Sequence, residues 1–172
     1  VFSGDFSVGP RAEIHKIAAG EWQILREVKL RALQESPDVF EERLADVVTW
    51  DAARWVRHAS PARNEFKQVL VVSVDSRHEG MIYVATDKLS SATGYLGSLW
   101  VSPYIRGCSI GRELLNAALT QIVHWDLDRA RLCVAEQDVG AISLYLRAGF
   151  TKTGVSKSLP SGITVLEMHR TL

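Results

Sequence analysis

The sequence predicts an α/β (α+β) domain in which a mixed, mainly antiparallel central sheet is flanked by helices. Three observations carry this expectation. Three β-type runs follow one another between residues 69 and 101, and consecutive strands imply antiparallel hairpins. A strand, helix, strand order over residues 94–135 implies a parallel neighbour. Two stretches, 22–33 and 110–122, repeat apolar residues at the spacing of an amphipathic helix. A chain of 172 residues, 47% hydrophobic, has the length and the apolar content for one core. Residues 11–172 are expected to form that domain, with residues 1–10 as a flexible tail.

Residues 12–18 alternate apolar and polar side chains, as a half-buried strand does, and Gly20 breaks the run. Trp22, Leu25, Val28, Ala32 and Leu33 then mark a helix that must stop before Pro37. Residues 41–59 read as one or two further helices with Leu44, Val47, Val48, Trp55 and Val56 as core, closed by Pro61. Residues 69–74 are nearly all β-branched, and 81–85 form the next strand after the turn-like Asp75-Ser76-Arg77-His78. The polar stretch 87–93 predicts a loop, and 94–101 a third strand ended by Pro103. Ile110, Leu114, Ala118 and Ile122 step by four along a long helix. A short strand over 131–135 and a short helix over 139–146 follow, with Gly149 as the stop signal. Residues 150–155 and 163–169 predict two last strands around a Pro160-Ser161-Gly162 turn.

Composition excludes several functions. Lys plus Arg and Asp plus Glu each number 20, so the chain has no net field to gather nucleic acid or anionic lipid. Cys108 and Cys133 stand in no paired or ligand spacing, which argues against a disulfide scaffold and for a reducing cytoplasm. No apolar run approaches the roughly 20 residues of a membrane helix, and residues 1–10 lack the pattern of a secretory signal. His15, His58, His78, His124 and His169 are scattered without metal-ligand spacing. No Gly-x-Ser-x-Gly elbow points to a serine hydrolase.

The most informative segment runs from Leu99 to Arg112: Leu99, Trp100 and Val101 end a strand, and Arg106, Gly107, Cys108, Ser109, Ile110 and Gly111 lead into a helix. The first amides of a helix have no intrahelical partner, and with the helix dipole they attract anions, phosphate above all. Glycine lets a ligand approach the backbone, and Arg106 or Arg112 can add charge-assisted hydrogen bonds. A plain turn with a helix cap fits the same residues. The P-loop and the dinucleotide fingerprint do not, because Arg112-Glu113 follows Gly111 and no Gly-x-Gly-x-x-Gly is present.

The segment resembles the acyl-CoA loop of the GNAT acetyltransferases, Arg/Gln-x-x-Gly-x-Gly/Ala, with Arg106 first, Gly111 last and Ser109 where glycine is usual. Residues 138–150 resemble the family's second signature, Asn-x-x-Ala-x-x-Leu-Tyr-x-x-x-Gly-Phe. Ala141, Leu144, Tyr145, Gly149 and Phe150 fall in register, and Asp138 replaces the asparagine, keeping a capping acceptor but losing the amide donor. Similarity extends over nearly the whole chain after Pro10, from the helix around Leu25 to the closing Glu167-Met168-His169-Arg170.

This resemblance implies an acetyl-CoA-dependent N-acetyltransferase that moves the acetyl group directly to a primary amine, with acetyl-CoA as co-substrate. It places the cofactor against Leu99, Trp100, Val101, Arg106, Gly107, Cys108, Ser109, Ile110, Gly111, Arg112, Asp138, Ser143 and Tyr145. The oxyanion would face the amides of Leu99, Trp100 and Val101, whose side chains also suit ordinary core. Tyr145, with a phenol of ordinary pKa near 10, is the implied proton donor to the departing thiolate, against the plainer reading of a core tyrosine. Family members that carry a glutamate on the preceding strand use it as base, but Ser98 and Trp100 are not acids, so Glu136, Asp138 or a water chain stay open. Glu136 also reads as a solvated loop charge, and Cys108 as a bystander. The same residues fit a non-catalytic acyl-CoA-binding domain, or an interaction domain that binds no CoA. Acceptor specificity is expected in residues 35–59, 86–93 and 156–163, and a homodimer across strand edges is expected by analogy.

Overall fold

A computed structural model describes residues 12–60 and 66–172. The expected tail and the expected stop at Pro61 lie outside the described residues. Among those described, seven strands form one sheet in the order β1-β2-β3-β4-β5-β7-β6. The strands are β1 Ala12–Lys16, β2 Lys67–Val74, β3 Arg77–Asp87, β4 Ser90–Val101, β5 Arg129–Ala135, β6 Thr151–Ser158 and β7 Thr164–Thr171. The helices are α1 Trp22–Glu35, α2 Leu44–Val47, α3 Ala52–Ala59, α4 Ile110–His124 and α5 Val139–Arg147. Every ladder is antiparallel except β4 with β5, the pair joined by the α4 crossover.

The sheet is packed on both faces, because its strands alternate two apolar sets. Leu70, Val72, Ile82, Val84, Leu96, Leu132 and Met168 form one core with Leu114, Leu115, Ala118 and Ile122 of α4 and Tyr145 and Phe150 of the α5 region. Val69, Val71, Met81 and Trp100 form the other with Leu25, Val28, Ala32 and Leu33 of α1 and Val47 and Trp55. Fully burying each large aliphatic side chain contributes about 1.5–3 kcal/mol, so the two apolar faces are what hold the helices on the sheet. Lys29 joins the second core by pairing with Glu42 at 2.7 Å.

Several local expectations need correction. The stretch 87–93 is mostly strand, since β3 runs to Asp87 and β4 begins at Ser90, leaving only Lys88 and Leu89 as the turn. Its polarity reflects a rim position, and the buried Asp87 carboxylate closes the turn by accepting the Leu89 amide at 3.0 Å. The turn between β2 and β3 is likewise tighter than expected: Asp75 and Ser76 alone carry it, both with positive φ. Val48 and Val56 are exposed rather than core: the segment forms two short helices, the second capped by Asp51 accepting the Arg54 amide at 2.7 Å, and their neighbours Val47 and Trp55 take the inward positions.

Candidate functional site

The ladder between β4 and β5 ends at Leu96 opposite Leu132, although β4 continues to Val101 and β5 to Ala135. The two strands therefore part in the middle of the sheet, and the last turn of β4 keeps only β3 as partner, through Val101 opposite Gly80. A bulge in the β3–β4 ladder lies where the strands part. Gly97 faces Tyr83 and Trp100 faces Met81, so Ser98 and Leu99 share a single opposing residue, and Ser98 takes a φ of +52°. Leu99 and Val101 pack against the α4-side core, whereas Trp100 is buried on the α1 side.

Beyond β4 the chain turns at Pro103–Ile105 and enters α4 through Arg106, Gly107, Cys108 and Ser109. Gly107 has a φ of +82° and open space where a Cβ would stand, a conformation and an exposure that glycine supplies without strain. Ser109 is the N-cap residue of α4, also left-handed at φ +65°, and its side chain makes no cap bond. The amides of Ile110, Gly111 and Arg112 have no partner in the helix they open. Exposed Arg112 donates to Ser109 Oγ at 3.3 Å. Gly111 faces the other motif: a Cβ there would touch Leu144 of α5 at 3.6 Å and Val101 of β4 at 3.7 Å. The helix start, the end of β4 and α5 thus meet at one place.

Arg106 does not point freely at the loop. Its Nε donates to the Val101 carbonyl at 2.9 Å and its Nη2 to Glu35 at 2.7 Å. Glu35, the last residue of α1, also accepts from the Trp100 indole at 3.0 Å and from the Ser36 hydroxyl. Burial would raise its pKa, but the bonds from Arg106, Ser36 and Trp100 outweigh this and hold it at about 2. Glu35 was missed as a site residue because 65 and 71 positions separate it from Trp100 and Arg106, and no local spacing announces the contact.

On α5, Asp138 is the N-cap and accepts the Ala141 amide at 3.0 Å. Ser143 accepts from Arg147 at 2.6 Å. Tyr145 is buried, edge-on to Phe150 with ring centroids 5.8 Å apart. Burial pushes its phenol above the ordinary tyrosine range, with charge on Asp138 and Tyr95 adding to the effect, so it keeps its proton at neutral pH. Glu136 is exposed, with its amide bonded to the Thr164 carbonyl at 2.9 Å.

Below the parting, the face of the sheet opposite α4 is polar. Arg131 bridges Asp87, with Nη2 at 3.1 Å from Oδ1, and Glu167 at 3.0 Å, and it lies over the Tyr95 ring at 5.2 Å. Cys133 sits 3.9 Å from the same guanidinium, with its thiol pKa pushed up by burial. Among the described residues no group of three acidic, histidine or cysteine side chains is placed to hold a metal.

Comparison with known proteins agrees with this geometry. Residues 27–150 match the family described as Acetyltransferase (GNAT). Mycothiol acetyltransferase of Geodermatophilus obscurus is 30% identical over 81 residues, which span 47% of this chain and only 26% of that protein. Among solved structures, a GNAT-family acetyltransferase of Streptococcus pneumoniae is similar with a TM-score of 0.74, at 18% identity over 94% of this chain and 100% of the other. The PaiA N-acetyltransferase of Thermoplasma acidophilum, in complex with coenzyme A, is similar with a TM-score of 0.70, at 18% identity over 94% and 99% of the two chains. At such identities the likeness is one of fold.

Proposed function

Since the chain belongs to the acetyltransferase (GNAT) family, we propose that it transfers the acetyl group of acetyl-CoA directly to a primary amine. The observation that carries this reading is the meeting of two features at one place: a sheet that parts after Leu96, and an uncapped helix start at Ser109 with Gly111 facing both β4 and α5. The first leaves backbone donors without a β5 partner, and the second leaves amides suited to a pyrophosphate.

In this reading the phosphates rest on the amides of Gly107 to Arg112, with the Arg112 side chain adding charge. The pantetheine arm follows the gap between β4 and β5, past Asp138 and Ser143. The thioester carbonyl meets the amides at Leu99 to Val101. The amine lone pair attacks the carbonyl carbon, the new C–N bond forms, and negative charge gathers on oxygen beside those donors. The C–S bond then breaks, and the thiolate takes the proton that Tyr145 holds. The amine's own proton leaves through water, with Glu136 and Asp138 as the carboxylates of the β5–α5 turn. The reading assigns the cytoplasm, since both described cysteines are free thiols, and a homodimer along the exposed β6 edge.

Calorimetric titration with acetyl-CoA, followed by thiol release across a panel of amines, tests this function. Saturable binding and amine-dependent release are expected. Binding without release on any amine would instead favour a sensing domain, and no binding would remove both readings.

A further inference from the structure

The last two turns of α1 grip the end of β4 from one side. Arg31 donates to Glu79 at 2.7 Å and to the His78 carbonyl at 2.6 Å, and its guanidinium lies 5.5 Å from the centre of the Trp100 ring. Four residues on, Glu35 accepts the indole N–H of that tryptophan at 3.0 Å. Trp100 is only 5% exposed, so its N–H needs a protein partner, and the carboxylate supplies it. The same oxygen of Glu35 holds Arg106 at 2.7 Å, and Arg106 in turn holds the Val101 carbonyl at 2.9 Å. The amide on the other side of that peptide, from Ser102, is fixed to the Glu79 carbonyl at 2.8 Å. One peptide at the end of β4 is therefore clamped at both its polar atoms.

We infer that Glu35 is a positioning residue for acetyl transfer: through Trp100 and Arg106 it fixes the end of β4 and the entry to the α4 loop relative to α1. The inference rests on the reading that the amides of Leu99 to Val101 receive the oxyanion. Oxyanion donors must be held within a fraction of an ångström to be effective, and here the strand that carries them has lost its β5 neighbour. Replacing that neighbour's restraint is the role the geometry gives to Glu35. The side chain is not a proton acceptor in this scheme: three donors converge on its Oε2 and hold its pKa at about 2, too weak a base to take the proton of an amine.

Glu35→Gln tests the inference. Glutamine keeps the length and an acceptor for the Trp100 indole but loses the charge that holds Arg106. The expected result is a kcat at least tenfold lower, with acetyl-CoA affinity by calorimetry within about threefold of wild type. The double variant Glu35→Gln, Arg106→Gln should lose no more than the worse single variant, because the two act as one unit. Should Glu35→Gln fail to fold, Arg106→Gln alone is expected to show the same selective loss of kcat. Wild-type kcat in a folded Glu35→Gln enzyme, additive losses in the double variant, or a loss confined to acetyl-CoA affinity would each overturn the inference. Those outcomes leave acetyl transfer standing, whereas a wild type that releases no thiol with any amine overturns both.

Discussion

Ser109 shows what a single residue's backbone state can explain. At φ +65° it occupies a region in which a Cβ is strained by roughly 1–2 kcal/mol. That is why glycine is usual at this place in the family pattern. Ser109→Gly should relieve the strain at the cost of some unfolded-state freedom, leaving the protein about 0.5–1 kcal/mol more stable in urea unfolding. Ser109→Ala keeps the strain, so it should show no such gain. Tyr145 makes the sharper residue-scale prediction. Tyr145→Phe keeps the ring and its packing on Phe150, so stability and acetyl-CoA binding should change little. If the phenol protonates the thiolate, kcat falls by on the order of 10²-fold with KM for acetyl-CoA nearly constant. Wild-type kcat in a stable variant would reduce Tyr145 to a core residue.

At the scale of elements, α5 is short and depends on its ends. Asp138 caps its first turn, and Gly149, at φ +84°, lets the chain turn back so that the Phe150 amide reaches the Tyr145 carbonyl at 3.0 Å. The helix that carries Tyr145 is thus framed on both sides. Asp138→Ala should cost about 1 kcal/mol by thermal or urea unfolding. Asp138→Asn keeps the cap acceptor and should leave stability within a few tenths of a kcal/mol of wild type, while restoring the amide donor of the family signature. A lower KM for acetyl-CoA in Asp138→Asn would mean that the donor reaches the pantetheine arm; an unchanged KM would confine Asp138 to capping. For α4, no side chain caps the first turn, and the proposed reading gives those amides to the phosphates.

Across the whole molecule, buried ionisable groups set the response to acid. His58 stacks on Tyr83 and lies edge-on to Trp50. Burial, helped by the nearby Lys29 and Lys67 and opposed by Glu42, lowers its pKa from 6.5 to about 4. Between those two values the unfolded chain binds a proton that the folded chain refuses. Stability present above pH 6.5 is therefore lost as pH falls, by up to about 3 kcal/mol at pH 4. Glu35, Glu42, Glu79 and Asp87 have lowered folded pKa values despite burial, because arginine or lysine partners hold them charged. Their contribution is present above about pH 4.5 and is lost only below it. Urea unfolding at pH 7.5, 5.5 and 4.5 should thus show a first loss before the carboxylates titrate. His58→Gln should flatten that first phase, and an equally steep loss in the variant would assign it elsewhere.

What the sequence determined by itself was local in origin. Apolar spacing set the helices 22–35 and 110–124, β-branched runs set the central strands, and the order of motifs around Gly111 and Tyr145 marked the loop and the helix proposed to hold acyl-CoA. These are signals a chain carries within a few residues, through the 3.6 and 2.0 periods of side-chain direction. Tertiary structure decided what depends on distant neighbours. The parting of β4 and β5 coincides with a bulge at Ser98, which no alternation pattern reveals. Val48 and Val56 were assigned to the core by residue type, but packing turned them outward. Glu35 and Arg106 meet only because α1 and the end of β4 pack on the same face of the sheet. A charge contact across 71 residues leaves no periodic trace, since either side chain alone reads as an ordinary exposed ion on the surface of its own element.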